Sequence, residues 1–408
     1  MSRPAIAFVE SNTSGTGILF FRSAFALGLQ PILLSQDPGR YDMRPAPETR
    51  VIQCNTSSID ELVEVCRSLG KSAALSGIWS SSEYFIATSA RLANLLGLPG
   101  PNHAAVARAR NKALQRDLTQ RLYDTAPRSI LAATPDEIHT AARSVGLPVI
   151  LKPISGSGSI GVRLCASTSA IDDYIAQIVD GETKLHKTPG IVVEEYLSGT
   201  EYSVELFDGR SIGVTRKHLG TLPSFVEIGH DFPLPRHDSI EPTLRQFAER
   251  VASVLDLTWG PAHIELRLRD GCPVLIEANP RLAGGHIPTL IHSSLGPDLI
   301  EATILRAAGQ QISLSAASRR SASIRFLLRG NSTSPPDDDA LSRARLLPHI
   351  IDAQLYPNFS PTSDGLHGDF RDRIGHVMAT GRTLEDSAQA ADRALLKLSS
   401  PEMGYQNA

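Results

Sequence analysis

The chain has 408 residues, of which 41% are hydrophobic and 20% are charged, an ordinary composition for a globular protein. Its net charge of −3 gives no electrostatic reason to expect binding to nucleic acid or to an anionic membrane. No apolar run approaches the roughly 18 residues of a membrane span, and the first residues lack a signal-peptide pattern. The four cysteines form no CxxC pair, so we expect a reduced, cytoplasmic protein without structural zinc.

The length allows roughly two or three domains, and the first hundred residues alternate between short apolar runs and amphipathic segments. Strands are predicted at 4–10, 31–35, 51–54 and 73–76, and helices at 18–29, 59–69 and 83–96. This alternation is typical of a small parallel α/β sheet. The turn-rich segment 98–102 then marks a first domain boundary.

A second unit begins with one long predicted helix over residues 104–122, which contains Asn111 and Lys112. Thr134 is a predicted N-cap with proline at the first helical position. The remaining predicted elements are strands at 127–131, 149–152 and 162–165 and a helix at 170–179.

The third unit is richer in strands. Strands are predicted at 191–197, 202–207 and 211–216, the last two joined by the hairpin signal Asp208-Gly209. A helix at 242–255 precedes a hairpin at 263–281, and a smaller α+β region from about residue 311 ends in a helix at 384–398. The stretch 331–339 is predicted to be an exposed loop.

The segment Gly156-Ser-Gly158-Ser-Ile-Gly161 has GxGxxG spacing. A dinucleotide fold needs that spacing between a strand and a helix, whereas strands are predicted on both sides here. The context favours a flap whose backbone N–H groups cover phosphates, with a mobile surface loop as the alternative. Lys152, just before the flap, is either a phosphate ligand or an ordinary strand-end charge. No GxxxxGK[ST] sequence is present, which excludes a P-loop.

The predicted hairpin 263–281 carries Glu265, Glu277, Asn279 and Arg281. Carboxylate and amide oxygens suit a hard cation such as Mg²⁺, and arginine suits phosphate or a developing oxyanion. The alternative is a solvated face, which explains less well why polar residues interrupt the apolar run at 274–276. The segment therefore predicts a metal–nucleotide site.

The metal prediction carries a geometric condition. Asp270-Gly271 favours a two-residue turn, which would pair Glu265 with Ile276 and turn Glu277 to the opposite face. Glu265 and Glu277 share a face only if the loop has three residues, 270–272, or if one strand contains a bulge.

These motifs occur in the order typical of the ATP-grasp superfamily of carboxylate–amine ligases, and the chain resembles that family over residues 1 to about 400. The resemblance is most specific at 149–161, 192–205 and 263–281. It implies an α/β and α+β ATP-grasp fold with four parts. These are a Rossmann-like N-terminal domain (1–101), a small lid domain with the glycine flap (102–187), a large domain with the metal site (188–310), and a C-terminal α+β region that completes the large domain (311–408).

The resemblance also implies roles for individual residues. The ATP phosphates would be bound by Lys112, Lys152 and the flap residues Gly156, Ser157, Gly158 and Ser159. Adenine would be bound at a hinge formed by Glu194, Glu195 and Leu197, and ribose by Glu201. Mg²⁺, or Mn²⁺ as the alternative ion, would be bound by Glu265, Glu277 and Asn279, and Arg281 would be the catalytic arginine.

Two further segments, 224–230 and 281–288, resemble amino-acid and dipeptide ligases, and 372–381 is similar to a C-terminal element of such enzymes. This likeness implies substrate contacts from Glu227, His230, Arg281, Gly284, Gly285 and His286. A Gly-Gly pair is also a common tight turn, and a lone histidine is usually structural.

The resemblance implies an enzyme that joins a small carboxylate to an amine through an acyl phosphate, releasing ADP and phosphate. The alternatives are a ligase that activates bicarbonate or formate or makes a nucleotide or cofactor precursor, and a non-catalytic nucleotide-binding module. We expect small-molecule substrates, and neither nucleic acid nor membrane as a partner. Homodimers are common in the family, although no pattern here demonstrates one.

Overall fold

The fold is taken from a computed structural model, which describes residues 3–13, 16–72, 74–123, 126–180, 190–329, 338–356 and 368–399. Within these residues the strands form one sheet of eight strands and two of four. No helix in the described ranges is both long enough and apolar enough to cross a membrane.

The N-terminal sheet is parallel, as predicted. Its strands, in the spatial order β3-β2-β1-β4, are Ala5–Val9 (β1), Gln30–Ser35 (β2), Arg50–Gln53 (β3) and Leu75–Trp79 (β4). Its helices are Gly17–Ala26 (α1), Ile59–Ser72 (α2) and Ile86–Leu95 (α3). All five residues of β1 are buried, because helices cover both faces of a parallel sheet.

The single helix predicted at 104–122 is wrong. The chain forms helices His103–Ala109 (α4) and Lys112–Thr119 (α5), followed by a 3₁₀ turn at Gln120–Leu122. The break occurs because Asn111 adopts an extended conformation and its side chain accepts a hydrogen bond of 3.1 Å from the Leu114 N–H. Lys112 is therefore the first residue of a new helix.

The small sheet is antiparallel, with the order β5-β8-β6-β7. Its strands are Ser129–Ala132 (β5), Val149–Pro153 (β6), Arg163–Cys165 (β7) and Ile191–Glu195 (β8), and its helices are Pro135–Val145 (α6) and Thr168–Asp180 (α7). The proposed boundary at 188 assigned β8 to the large domain, but β8 hydrogen-bonds to β5 and β6. The other domain boundaries remain predictions.

The eight-stranded sheet has the order β13-β12-β9-β10-β11-β14-β16-β15 and is antiparallel. Its strands are Glu201–Phe207 (β9), Arg210–Leu219 (β10), Glu227–Phe232 (β11), Pro261–Arg269 (β12), Cys272–Asn279 (β13), Ser321–Leu328 (β14), Ile350–Leu355 (β15) and Arg373–Gly381 (β16). The surrounding helices are Glu241–Leu255 (α8), Ile287–Leu295 (α9), Leu299–Ala307 (α10), Asp338–Arg345 (α11) and Leu384–Ser399 (α12).

The strands after residue 311 extend the same large sheet that begins at β9. The predicted loop at 331–339 lies mostly outside the described residues, and its last two residues already belong to α11. On one face of the sheet, α8 packs its apolar side, including Leu244 and Val251, against Ile264 and Leu275 of the β12–β13 hairpin. This packing leaves the other face of the hairpin for polar residues.

The hairpin meets the geometric condition through a bulge. Asp270 and Gly271 have φ values of 51° and 79°, so they form a two-residue turn of the primed kind. Regular pairing continues to Leu266 opposite Leu275, and the register then shifts so that Glu265 lies opposite Glu277. Ile276 is the extra residue. The three-residue loop is therefore wrong, and the bulge is what places both carboxylates on one face.

Replacing Asn111 with alanine tests the helix break. The side-chain acceptor at the start of α5 is lost, so we expect the free energy of unfolding to fall by about 1 kcal/mol in urea titrations. Asn111→Ser keeps an acceptor and serves as the control. Equal losses for both variants would show that the cap does not stabilise α5.

Candidate active site

A cavity of about 790 Å³ is lined by residues of both antiparallel sheets and of the N-terminal domain. All but one of the residues predicted for the site line it: Lys112, Lys152, Gly156, Ser157, Gly158, Ser159, Glu194, Glu195, Leu197, Glu201, Glu227, Glu265, Glu277, Asn279, Arg281, Gly284, Gly285 and His286. His230 is the exception. The structure thus brings together residues that lie up to 174 positions apart in sequence, from Lys112 to His286.

Two buried lysines face this cavity beside carboxylates. Lys112 Nζ lies 2.9 Å from Glu277 Oε1, and Lys152 Nζ lies 2.6 Å from Glu194 Oε2. Arg116, one turn after Lys112, donates to both oxygens of Glu194 at 2.7 and 3.1 Å. The carbonyl of the bulge residue Ile276 accepts from Arg116 at 2.8 Å and from Lys152 at 3.4 Å.

Burial and pairing set the charges of this cluster. Burial alone would raise the pKa of Glu194, but Arg116 and Lys152 lower that pKa to about 2. Burial lowers the pKa of Lys152 to about 8, although Glu194 opposes that change. Glu194 is therefore ionised at neutral pH, whereas Lys152 loses its charge in mildly alkaline solution.

The predicted metal ligands share one wall. Glu265 pairs with Glu277 and His263 pairs with Asn279 across the hairpin, so Glu265, Glu277 and Asn279 point to the same side. Asn279 is buried at the cavity wall. The set offers only oxygen donors, two of them anionic, and therefore fits a hard divalent cation.

Glu265 is held in its charged form by its neighbours. Its Oε1 lies 2.6 Å from Lys217 Nζ and 3.0 Å from His263 Nε2. Burial favours the neutral acid, but Lys217 and His263 hold the pKa of Glu265 well below its usual range. His263 is buried, and its partners Glu205 and Glu265 raise its pKa to about 10.

The predicted substrate acid Glu227 is anchored from three sides. Its Oε1 is 2.8 Å from Lys217 Nζ, and its Oε2 contacts Arg373 at 2.7 Å and His230 Nε2 at 3.0 Å. His230 is fully buried behind this wall, and its other nitrogen bonds to the Gly285 carbonyl at 3.1 Å. The expectation that His230 touches substrate is therefore corrected, because its position makes it a support for Glu227.

Gly285 and His286 form the next part of the wall. Gly285 has a φ of 58°, and a side chain there would collide with His230. His286 lies against His376, with ring centroids 4.4 Å apart. Burial, and then the neighbouring His376, lower the pKa of His286 to about 3, so its ring is neutral at physiological pH.

Arg281 connects the N-terminal domain to the flap. Its guanidinium bonds to Glu83, which follows β4 and also pairs with Arg110, and it donates to Ser157 Oγ at 3.2 Å. Arg281 also donates to the Leu282 carbonyl at 2.8 Å. The predicted catalytic arginine therefore contacts both the flap and a carboxylate of another domain.

The glycine run joins two antiparallel strands, β6 and β7, as predicted for a flap. Gly158 has a φ of 67°, and an added Cβ would lie 2.5 Å from Phe370 Cδ1. Only glycine fits this close approach without strain. The flap therefore lies directly over the 3₁₀ turn Phe370–Asp372, which immediately precedes the C-terminal strand β16.

Two residues of the predicted adenine hinge, Glu195 and Leu197, contact different arginines. Glu195 pairs with Arg269 at 2.9 Å and with Arg128 at 3.5 Å, near the outer end of the hairpin. The Leu197 carbonyl accepts from Arg267, which also binds Glu201 Oε2 at 3.1 Å. Arginines thus bind the side chain of Glu195 and the backbone carbonyl of Leu197, and the role of this segment toward adenine remains a prediction.

Several residues of the wall were missed from the sequence: Glu83, Arg116, Lys217, Arg267, Tyr356 and Arg373. Arg116 could have been identified from the sequence, because it lies four residues after Lys112 and therefore on the same helical face. Lys217 lies one residue beyond the predicted strand 211–216, and its partners come from three other strands. Local patterns do not reveal such pairings.

Comparison with known proteins agrees with this geometry. A profile of the ATP-grasp domain family matches residues 145–289. An uncharacterized protein, y4rH, of Sinorhizobium fredii is 33% identical over 393 residues, which cover 96% of this chain and 82% of that protein.

Functionally named relatives are more distant. The alanine–anticapsin ligase of Bacillus subtilis (strain 168) is 25% identical over 265 residues, covering 60% of this chain and 55% of that protein. The chain thus spans about half the length of that ligase. The crystal structure of an L-amino acid ligase from Bacillus licheniformis superimposes with a TM-score of 0.79 over 98% of both chains, at 18% identity. From the matched profile, the relative that this chain covers to 82% of its length, and the shared fold, we conclude that this chain belongs to the ATP-grasp superfamily of ATP-dependent carboxylate–amine ligases.

Proposed function

We propose that this protein uses ATP to join the carboxylate of one small acid to the amine of another, with amino acids as the substrate class. The observation that carries the proposal is the hairpin face on which Glu265, Glu277 and Asn279 line one cavity together with Arg281. The amino-acid class is supported by the named relatives and by Glu227, an anchored carboxylate that suits a substrate ammonium group.

When bound, Mg²⁺–ATP would supply the phosphoryl group that converts the acid into an acyl phosphate, with release of ADP. The amine would then attack the acyl carbon, and inorganic phosphate would leave as the amide forms. Lys112 and Lys152 would hold the phosphates, and Glu265, Glu277 and Asn279 would hold Mg²⁺. Arg281 would stabilise negative charge on the acyl phosphate and on the tetrahedral oxyanion. The flap would exclude water, which otherwise hydrolyses the activated acid.

The functional test is a screen of amino-acid pairs with ATP and Mg²⁺, measured by phosphate release and by the mass of the product. We expect ADP release that depends on both an acid and an amine, with a product lighter by one water than the sum of the two substrates. ADP release that depends on bicarbonate or formate would instead favour another ligase reaction. Nucleotide binding without substrate-dependent turnover would favour a non-catalytic module.

Arg281→Ala tests the assigned catalytic arginine. Because a donor to the oxyanion is lost, we expect kcat to fall on the order of 10²-fold or more in the phosphate-release assay. Arg250→Ala, an exposed arginine on α8, is the control and should retain the parental kcat. An unchanged kcat in Arg281→Ala would remove Arg281 from the mechanism.

The lowered pKa of Lys152 predicts a pH dependence of ATP binding. Lys152 is charged below about pH 8 and neutral above it, so its attraction for phosphate is lost as the pH rises. From that pKa we expect the KM for ATP to rise about tenfold between pH 7 and pH 9.

Lys152→Arg is the matched control, because guanidinium keeps its charge over this range. Its KM for ATP should be nearly constant from pH 7 to pH 9, whatever its absolute value. The same rise in both proteins would assign the pH dependence to another group.

A further inference from the structure

One buried lysine lies among three carboxylates in the middle of the cavity wall. Lys217 Nζ is 2.7 Å from Glu201 Oε1, 2.8 Å from Glu227 Oε1 and 2.6 Å from Glu265 Oε1. Its side chain is only 2% exposed. An ammonium group has three N–H donors, so these three carboxylates use all of them.

The three carboxylates alone have the geometry of a metal site. One oxygen from each of Glu201, Glu227 and Glu265 lies within 4.8 Å of the others, close enough to share one cation. The ammonium of Lys217 is within hydrogen-bond distance of all three, so it lies where such a cation would bind. A lysine ammonium is a compact point charge, which makes it a fair substitute for a metal ion at this position.

The trio is held in place by a second layer of cationic partners. Glu201 is bound by Arg267, and Glu265 by His263. Glu227 is bound by Arg373 and by His230. The carboxylates would therefore keep their positions after loss of the ammonium, while their charge would be only partly compensated.

We propose that Lys217 is a positioning residue that takes the place of a divalent cation among Glu201, Glu227 and Glu265. It thereby restricts the catalytic cation to the wall formed by Glu265, Glu277 and Asn279. The proposal rests on the metal ligands assigned under the proposed function. It goes beyond them, because it predicts that no divalent cation binds among Glu201, Glu227 and Glu265 while Lys217 is present.

The same contacts also connect three strands of the large sheet through Lys217. Glu201 comes from β9, Glu227 from β11 and Glu265 from β12, and they are assigned to ribose, substrate and metal respectively. One ammonium thus fixes the spacing of three parts of the site. Loss of Lys217 should raise the KM for ATP and for the acid together, whereas loss of a single contact residue should affect chiefly its own ligand.

The test counts bound Mn²⁺ in the absence of nucleotide by electron paramagnetic resonance. In Lys217→Met we expect one more Mn²⁺ per chain than in the parent protein, because the ammonium no longer occupies the position between the three carboxylates. The double variant Lys217→Met/Glu201→Gln lacks one carboxylate of the trio and should lose that additional ion. Circular dichroism and thermal melting establish that each variant is folded.

Two results would overturn the proposal: folded Lys217→Met without an additional Mn²⁺, or an additional ion that persists when Glu201 is also replaced. A crystal of the unmodified protein soaked with Mn²⁺ and ATP gives an independent test that needs no variant. We expect anomalous density beside Glu277 and Asn279, and density within the trio would contradict the role of Lys217. These measurements do not use turnover, so their failure is separate from failure of the ligase assay.

Discussion

The alternation of side chains along a β-strand is the constraint on which this site depends. Because that period is two, a shift of one residue would turn Glu277 and Asn279 away from the cavity and leave Glu265 alone there. The bulge at Ile276 reconciles the tight Asp270-Gly271 turn with the facing carboxylates. The same extra residue presents its carbonyl to Arg116 and Lys152, so one backbone irregularity serves both the wall of Glu265, Glu277 and Asn279 and the lysine cluster.

The second feature of the cavity is that its buried carboxylates are paired with cationic side chains. Glu194 is paired with Arg116 and Lys152, Glu277 with Lys112, and Glu265 with Lys217 and His263. A buried charge without a partner is costly, so these pairs allow a dense set of ionised groups to exist before any ligand arrives. A nucleotide and a cation would enter by exchanging partners within this network.

Much of the architecture could be predicted because it rests on local patterns. Apolar periodicity located most strands and helices, and the resemblance of the motifs to the ATP-grasp superfamily implied which residues would line one site. The break at Asn111 was missed because a helical pattern continued on both sides of one capping residue. Lys217 and Glu83 were missed for a different reason: their partners come from distant strands or from another domain, and such pairings have no local signal. The bulge was foreseen only as one of two alternatives, since loop length alone does not determine register.

The ion pair between Glu83 and Arg281 joins positions 198 residues apart. Through this pair, the N-terminal domain contributes a carboxylate to a site built mainly from the two antiparallel sheets. A segment limited to the matched residues 145–289 would carry Arg281 without this counter-ion. An N-terminal domain taken from another protein must therefore supply an acid in the segment that follows its fourth strand, or Arg281 will pair with a different group inside the site.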